Sequence, residues 1–167
     1  MIFNLNLRYN RTPGARSYCE YYYSKKAMEI KNGEFTISTD RAKLDLRFIH
    51  DYLSNESYWV PGIAFEKVVT AADHSLNFGL YHLDRQIGYA RIITDYVRVA
   101  YLADVFVIGD FRGRGLAKWL VGVIMTHPDI TGLRRWMLHT LDAHGLYAQF
   151  GWGPPEKPER YMEFTGQ

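Results

Sequence analysis

The sequence predicts a mixed α/β domain, on three observations. Apolar residues alternate with period two in some segments and recur near period 3.6 in others. From residue 35 onward the two kinds of segment follow the order β-α-α-β-β-β-α-β-α-β. One long apolar strand, residues 97–108, runs straight into a turn of basic residues and glycines, and an amphipathic helix follows at once.

Residues 35–38 read as a strand. Residues 43–54 read as a helix, with Leu44, Phe48, Ile49 and Leu53 at helical spacing and Asp40 as its cap. Residues 57–62 form a loop carrying Tyr58 and Trp59 ahead of Pro61, and 63–72 a second helix. Residues 76–83 and 86–94 make a hairpin around Asp84-Arg85. Strand 97–108 is apolar on both faces apart from Arg98 and Asp104, the pattern of a strand with neighbours on either side. Helix 115–125 places Leu116, Trp119, Leu120, Val123 and Ile124 on one side, and His127-Pro128 stops it. A strand at 135–140, a helix at 142–150 and a last strand at 161–164 complete the order.

Composition narrows the function classes. A chain of 167 residues is long enough to bury one substantial core. Its formal net charge of +2 argues against nucleic acid or an anionic membrane as the main partner. Cys19 is the single cysteine, so no internal disulfide is expected, which suits a reducing, cytoplasmic setting. The apolar run 119–125 is far short of a membrane span, and the N-terminus lacks the apolar region of a secretory signal. Residues 1–33, rich in Tyr, Asn and basic side chains, read as a mobile N-terminal extension, with 34–167 as the domain. Alternation of Phe3, Leu5, Leu7 and Tyr9 leaves an added strand or a partner contact open there.

The turn Arg112-Gly113-Arg114-Gly115-Leu116-Ala117 is the chemical centre of the sequence. The first amides of a helix have no intrahelical acceptor, and with the helix dipole they favour an anion such as pyrophosphate. Gly113 and Gly115 keep side chains off that backbone, while Arg112, Arg114 and Lys118 add positive charge. A P-loop needs Gly-Lys-Ser/Thr, which Ala117-Lys118-Trp119 does not supply, and the preceding hairpin argues against a dinucleotide-binding βαβ unit. The plain alternative is an Arg-Gly turn with no ligand.

Asp104 interrupts the apolar strand, where an ionised carboxylate must be solvated, paired or neutral. It reads either as a general base or orienter of an attacking group, or as a structural hydrogen-bonding residue. The six histidines form no short ligand pair, so no metal is expected.

These residues resemble the GNAT superfamily of acyl-CoA-dependent N-acyltransferases. Residues 112–117 match its Arg/Gln-x-x-Gly-x-Gly/Ala signature. Residues 143–152 resemble its Leu-Tyr-x-x-x-Gly-Phe helix end, with Trp152 in place of Phe. The element order fits the same core, a mostly antiparallel sheet splayed at the acyl-CoA site and flanked by helices. The resemblance does not cover residues 1 to about 33. It implies that Val105, Phe106 and Val107 bond the pantetheine arm of acetyl-CoA and offer an oxyanion donor. It also implies that Arg112, Gly113, Arg114, Gly115, Leu116 and Ala117 hold the pyrophosphate, and that Tyr147 protonates the departing thiolate. Tyr58 and Trp59 would line the acceptor pocket; a simple packed pair is the alternative.

The expected activity is acetyl transfer from acetyl-CoA to a primary amine, on a small molecule or a protein, by a monomer or homodimer. A non-catalytic acyl-CoA sensor or partner-binding module stays open, and RNA binding through the basic segment is the weakest reading.

Overall fold

Six strands form one sheet in chain order: β1 (Glu29–Asn32), β2 (Phe35–Ser38), β3 (Leu76–His82), β4 (Arg85–Thr94), β5 (Val99–Val107) and β6 (Arg135–Met137). The structure, a computed structural model, describes residues 27–165. Pairing is antiparallel from β1 to β5, and β5 and β6 run parallel. The helices are α1 (Leu46–Asn55), α2 (Phe65–Asp73), α3 (Leu116–Met125) and the short α4 (His144–Ala148).

Strand alternation divides the core into two layers. On one face Ile37, Phe78, Leu80, Ala90 and Val107 pack with Leu120, Val121 and Ile124 of α3 and with Tyr147 of α4. On the other, Tyr89 and Phe106 pack with Ile49, Tyr52 and Leu53 of α1 and Val68 of α2. Neighbours such as Tyr89 and Ala90 therefore serve opposite layers.

Capping chemistry sets several bounds. The sequence expectation of a helix from residue 43 is corrected: α1 begins at Leu46, where Asp45 Oδ1 accepts from Phe48 N at 3.0 Å. Asp40 caps a separate 3₁₀ turn, Arg41–Lys43, and Leu44 between them is extended. Gly33-Glu34, with Gly33 at φ +59°, turns β1 back onto β2. The sheet thus starts at Glu29, ahead of the boundary drawn from composition at residue 34; residues 1–26 of that segment lie outside the described residues. The strand expected at 135–140 ends at Met137. The strand expected at 161–164 does not form. Met162 and Phe164 are 99% and 92% exposed, and these residues pair with no edge of the sheet.

Candidate active site

A gap opens in the sheet where β5 leaves β6. Their pairing covers only Val99↔Arg135, Ala100↔Trp136 and Tyr101↔Met137. Among the described residues, 102–107 have β4 on one side and no strand on the other. Ile108 N donates to Ile87 O on β4 at 3.0 Å. Backbone groups alternate sides along an antiparallel strand, so Val107 faces away from β4 into the gap. The Val107 carbonyl indeed turns there and accepts from Arg112 Nε at 2.9 Å.

A bulge marks the middle of this edge. Tyr89 pairs with Phe106 and Arg91 with Ala103, so β5 carries one extra residue. Asp104 absorbs it at φ +53°, a left-handed conformation that aspartate tolerates better than most residues. Its carboxylate accepts from Arg91 Nε through Oδ2 at 2.5 Å and from Trp59 Nε1 through Oδ1 at 3.1 Å. The Asp104 and Arg91 side chains are 10% and 17% exposed. Beside them lies a cavity of about 30 Å³, lined also by Leu53, Val60, Ile63 and Val68, with room for a water or two.

Beyond β5, the turn Gly109–Phe111 leads into α3. Gly113 and Gly115 both sit at φ +75°, and a Cβ on either would meet only open space. Among the described residues, the amides of 113–118 donate to no backbone carbonyl, so they converge as free donors at the start of α3. The two arginines diverge. Arg112, an exposed residue, nonetheless bonds Val107 O and Tyr52 OH, the latter at 2.8 Å. Arg114 stays at the surface, donating to Asp110 O at 3.1 Å with its guanidinium over the Phe111 ring.

The other lip of the gap ends in α4. Tyr147 is buried there, and burial pushes its hydroxyl up to about 12, with the neighbouring Tyr58 and Asp142 adding to the shift. Trp152 packs against Tyr147 and edge-on to Trp136, bracing the end of α4.

A parallel strand pair that parts beside a bulge, with a free-amide turn at one end, matches a known pattern of folding and sequence. The profile of the Acetyltransferase (GNAT) family matches residues 46–152. This chain belongs to the GNAT acetyltransferase family. A crystal structure of a GNAT-family protein from Xanthomonas campestris, provisionally named an acetyltransferase, is 46% identical with a TM-score of 0.78. It covers 81% of this chain and 96% of its own. A Gibberella zeae protein, also provisionally named an acetyltransferase, is 29% identical over 163 residues, 84% of this chain and 88% of the relative. A provisionally assigned acetyltransferase from Clostridium acetobutylicum, solved with acetyl-CoA, shares the fold at a TM-score of 0.61 and 13% identity. It covers 83% of this chain and 96% of that one.

Within the GNAT fold, the residues singled out from sequence fall into three groups. Val105, Phe106 and Val107 line the gap edge, with the Phe106 side chain stacked on Tyr52 at 3.8 Å. Gly113, Arg114, Gly115, Leu116 and Ala117 form the amide turn, whereas the Arg112 guanidinium is committed to the fold. Trp59 bonds Asp104 on the bulge, Tyr58 bonds Leu141 N just ahead of α4, and Tyr147 packs in the core layer under α3. Sequence reasoning missed Arg91, Tyr52 and Asp142. Arg91 was the one of these with a signal, a cation in the otherwise apolar middle of β4. Among the described residues no group of three or more His, Cys, Asp or Glu is placed to hold a metal, and no helix is long and apolar enough to cross a membrane.

Proposed function

We propose that this GNAT domain transfers an acetyl group from acetyl-CoA to a primary amine, most simply on a small molecule, by direct attack. The observation that carries the reading is the open edge of residues 102–107 lying next to the free amides of 113–118. The first suits an extended pantetheine arm added like a strand, and the second a pyrophosphate. Gly113 and Gly115 fit that group, since nothing stands over their Cα positions.

In this reading the N–H groups of Val105 and Val107 bond the arm and steady the oxyanion that develops as the neutral amine attacks the thioester carbon. The carbon–sulfur bond breaks, and the Tyr147 hydroxyl gives its proton to the departing sulfur. With its affinity for the proton raised, it holds that proton throughout the neutral range. The attacking nitrogen gives up its proton to water in the cavity beside Asp104. Both Asp104 oxygens already accept hydrogen bonds, so the residue acts by holding that water and the bulge. Arg114, Leu116 and Ala117 complete the pyrophosphate turn, and Tyr58 and Trp59 form the acceptor wall.

The commitment of Asp104 to Arg91 also favours a second reading, an acyl-CoA-binding module without transfer. Calorimetry with acetyl-CoA and then thiol release with ethanolamine, tyramine, spermidine and lysine separate the two. Micromolar binding with amine-dependent thiol release supports transfer. Binding without release from any probe favours the module, and no binding removes both.

A further inference from the structure

We infer that Tyr58 and Trp59 are positioning residues whose side chains bridge the two lips of the gap; the role rests on the acetyl-transfer reading above. The loop that carries them is closed upon α1 at both ends. Ser57 N donates to Tyr52 O at 3.0 Å, and Gly62 N donates to Ser54 O at 2.9 Å. The Ser57 hydroxyl, buried, donates to Leu53 O. A loop pinned this way presents its two aromatic rings as a unit, and they meet edge to face at 5.0 Å and 83°.

Each ring then reaches a different lip. The Trp59 indole donates to Asp104 on the β5 bulge. The Tyr58 hydroxyl accepts from Leu141 N at 2.9 Å and lies 3.4 Å from Asp142 Oδ1, to which it can donate. Residues 141 and 142 lead directly into α4. That helix has five residues and no side-chain cap at Ala143, so its own hydrogen bonds cannot hold it in place. Tertiary contacts must do so, and Tyr58 supplies two of them just upstream of Tyr147. The aromatic pair therefore sets the distance between the bulge, where the oxyanion donors lie, and the Tyr147 hydroxyl.

A simple acceptor-lining role would need the rings to face a ligand; a bridge needs their polar atoms, which conservative variants remove. Tyr58→Phe keeps the ring and deletes the hydroxyl that accepts from Leu141 N and faces Asp142, and Trp59→Phe deletes the indole N–H while keeping a smaller aromatic ring. Amide exchange read by mass spectrometry should show residues 138–148 exchanging at least ~fivefold faster in Tyr58→Phe, with β1 to β3 unchanged. With the best amine probe, kcat should fall about tenfold while the KM for acetyl-CoA stays within about twofold. Trp59→Phe should move kcat the same way. Unchanged exchange at 138–148 in Tyr58→Phe overturns the bridge. Faster exchange with unchanged kcat overturns its positioning role. Failure of the wild-type protein to bind acetyl-CoA is a separate result: it removes the transfer reading, and exchange alone then decides whether the bridge exists.

Discussion

Arg91 and Asp104 face each other across the β4–β5 bulge, Nε to Oδ2, with both side chains largely withdrawn from water. The pair solves two problems of the same strand. It neutralises a carboxylate in an apolar layer, and it holds a left-handed residue where the ladder gains its extra position.

Removing one partner leaves the other charged and poorly solvated. Asp104→Ala should destabilise the domain by about 3 kcal/mol in urea unfolding. In a double-mutant cycle with Arg91→Ala, the two losses should fall short of additivity by at least ~1 kcal/mol. Additive losses would mean that the contact holds nothing together.

The two arginines of the glycine turn should separate by phenotype. Arg112 bonds Val107 O and Tyr52 OH, so Arg112→Ala should lower stability by about 2 kcal/mol through two charge-assisted hydrogen bonds. Arg114 is exposed and makes one bond to a backbone carbonyl, so Arg114→Ala should cost under ~1 kcal/mol while weakening acetyl-CoA binding several-fold. Thermal unfolding and calorimetry on the same preparations check both; a stability loss larger for Arg114 contradicts this division.

Tyr147 carries the proton for the leaving sulfur in the proposed reaction. Tyr147→Phe should lower kcat about 100-fold and leave the acetyl-CoA Kd within about twofold. Because burial raises the hydroxyl to about 12, its proton is still present well above neutral pH. The wild-type kcat profile should therefore show no alkaline fall assignable to Tyr147 below pH ~10. A Phe variant with wild-type kcat takes Tyr147 out of the mechanism.

Asp95 makes the clearest pH prediction. Its Oδ1 accepts from Val97, Arg98 and Val99 N at 3.0, 2.8 and 3.0 Å, closing the turn into β5. Those backbone donors hold its carboxyl down to about 2. A carboxyl more acidic in the folded chain than in the unfolded one stabilises the fold above the unfolded value. That contribution fades as pH falls from about 4 towards 2. Asp95→Asn should lower the melting temperature at neutral pH and flatten its decline across that acid window. An unchanged acid slope in the variant would assign the titration elsewhere.

Much of the fold was legible because its signals are local. The apolar stripe of α3 and the alternation of β3 and β4 each report on a few neighbouring residues. The segment 161–164 shows the limit of that logic: it alternates like a strand, yet pairing depends on an edge that residues far along the chain must supply. Leu44 shows another, since a helical phase beginning at 43 was broken by Asp45 offering a better cap.

The same division runs through the site. The amino-acid order by itself determined the glycine turn between an apolar strand and a helix, since left-handed φ values and free helix-start amides follow from residues 112–117 alone. It also determined that Asp104 had to be solvated, paired or neutral. Only the tertiary structure decided that the partner is Arg91, that Arg112 bonds Tyr52 of α1, and that Tyr58 reaches across to residues 141 and 142. Those choices join side chains from different elements, and in a folded sheet the separation along the chain says little about which polar groups will find one another.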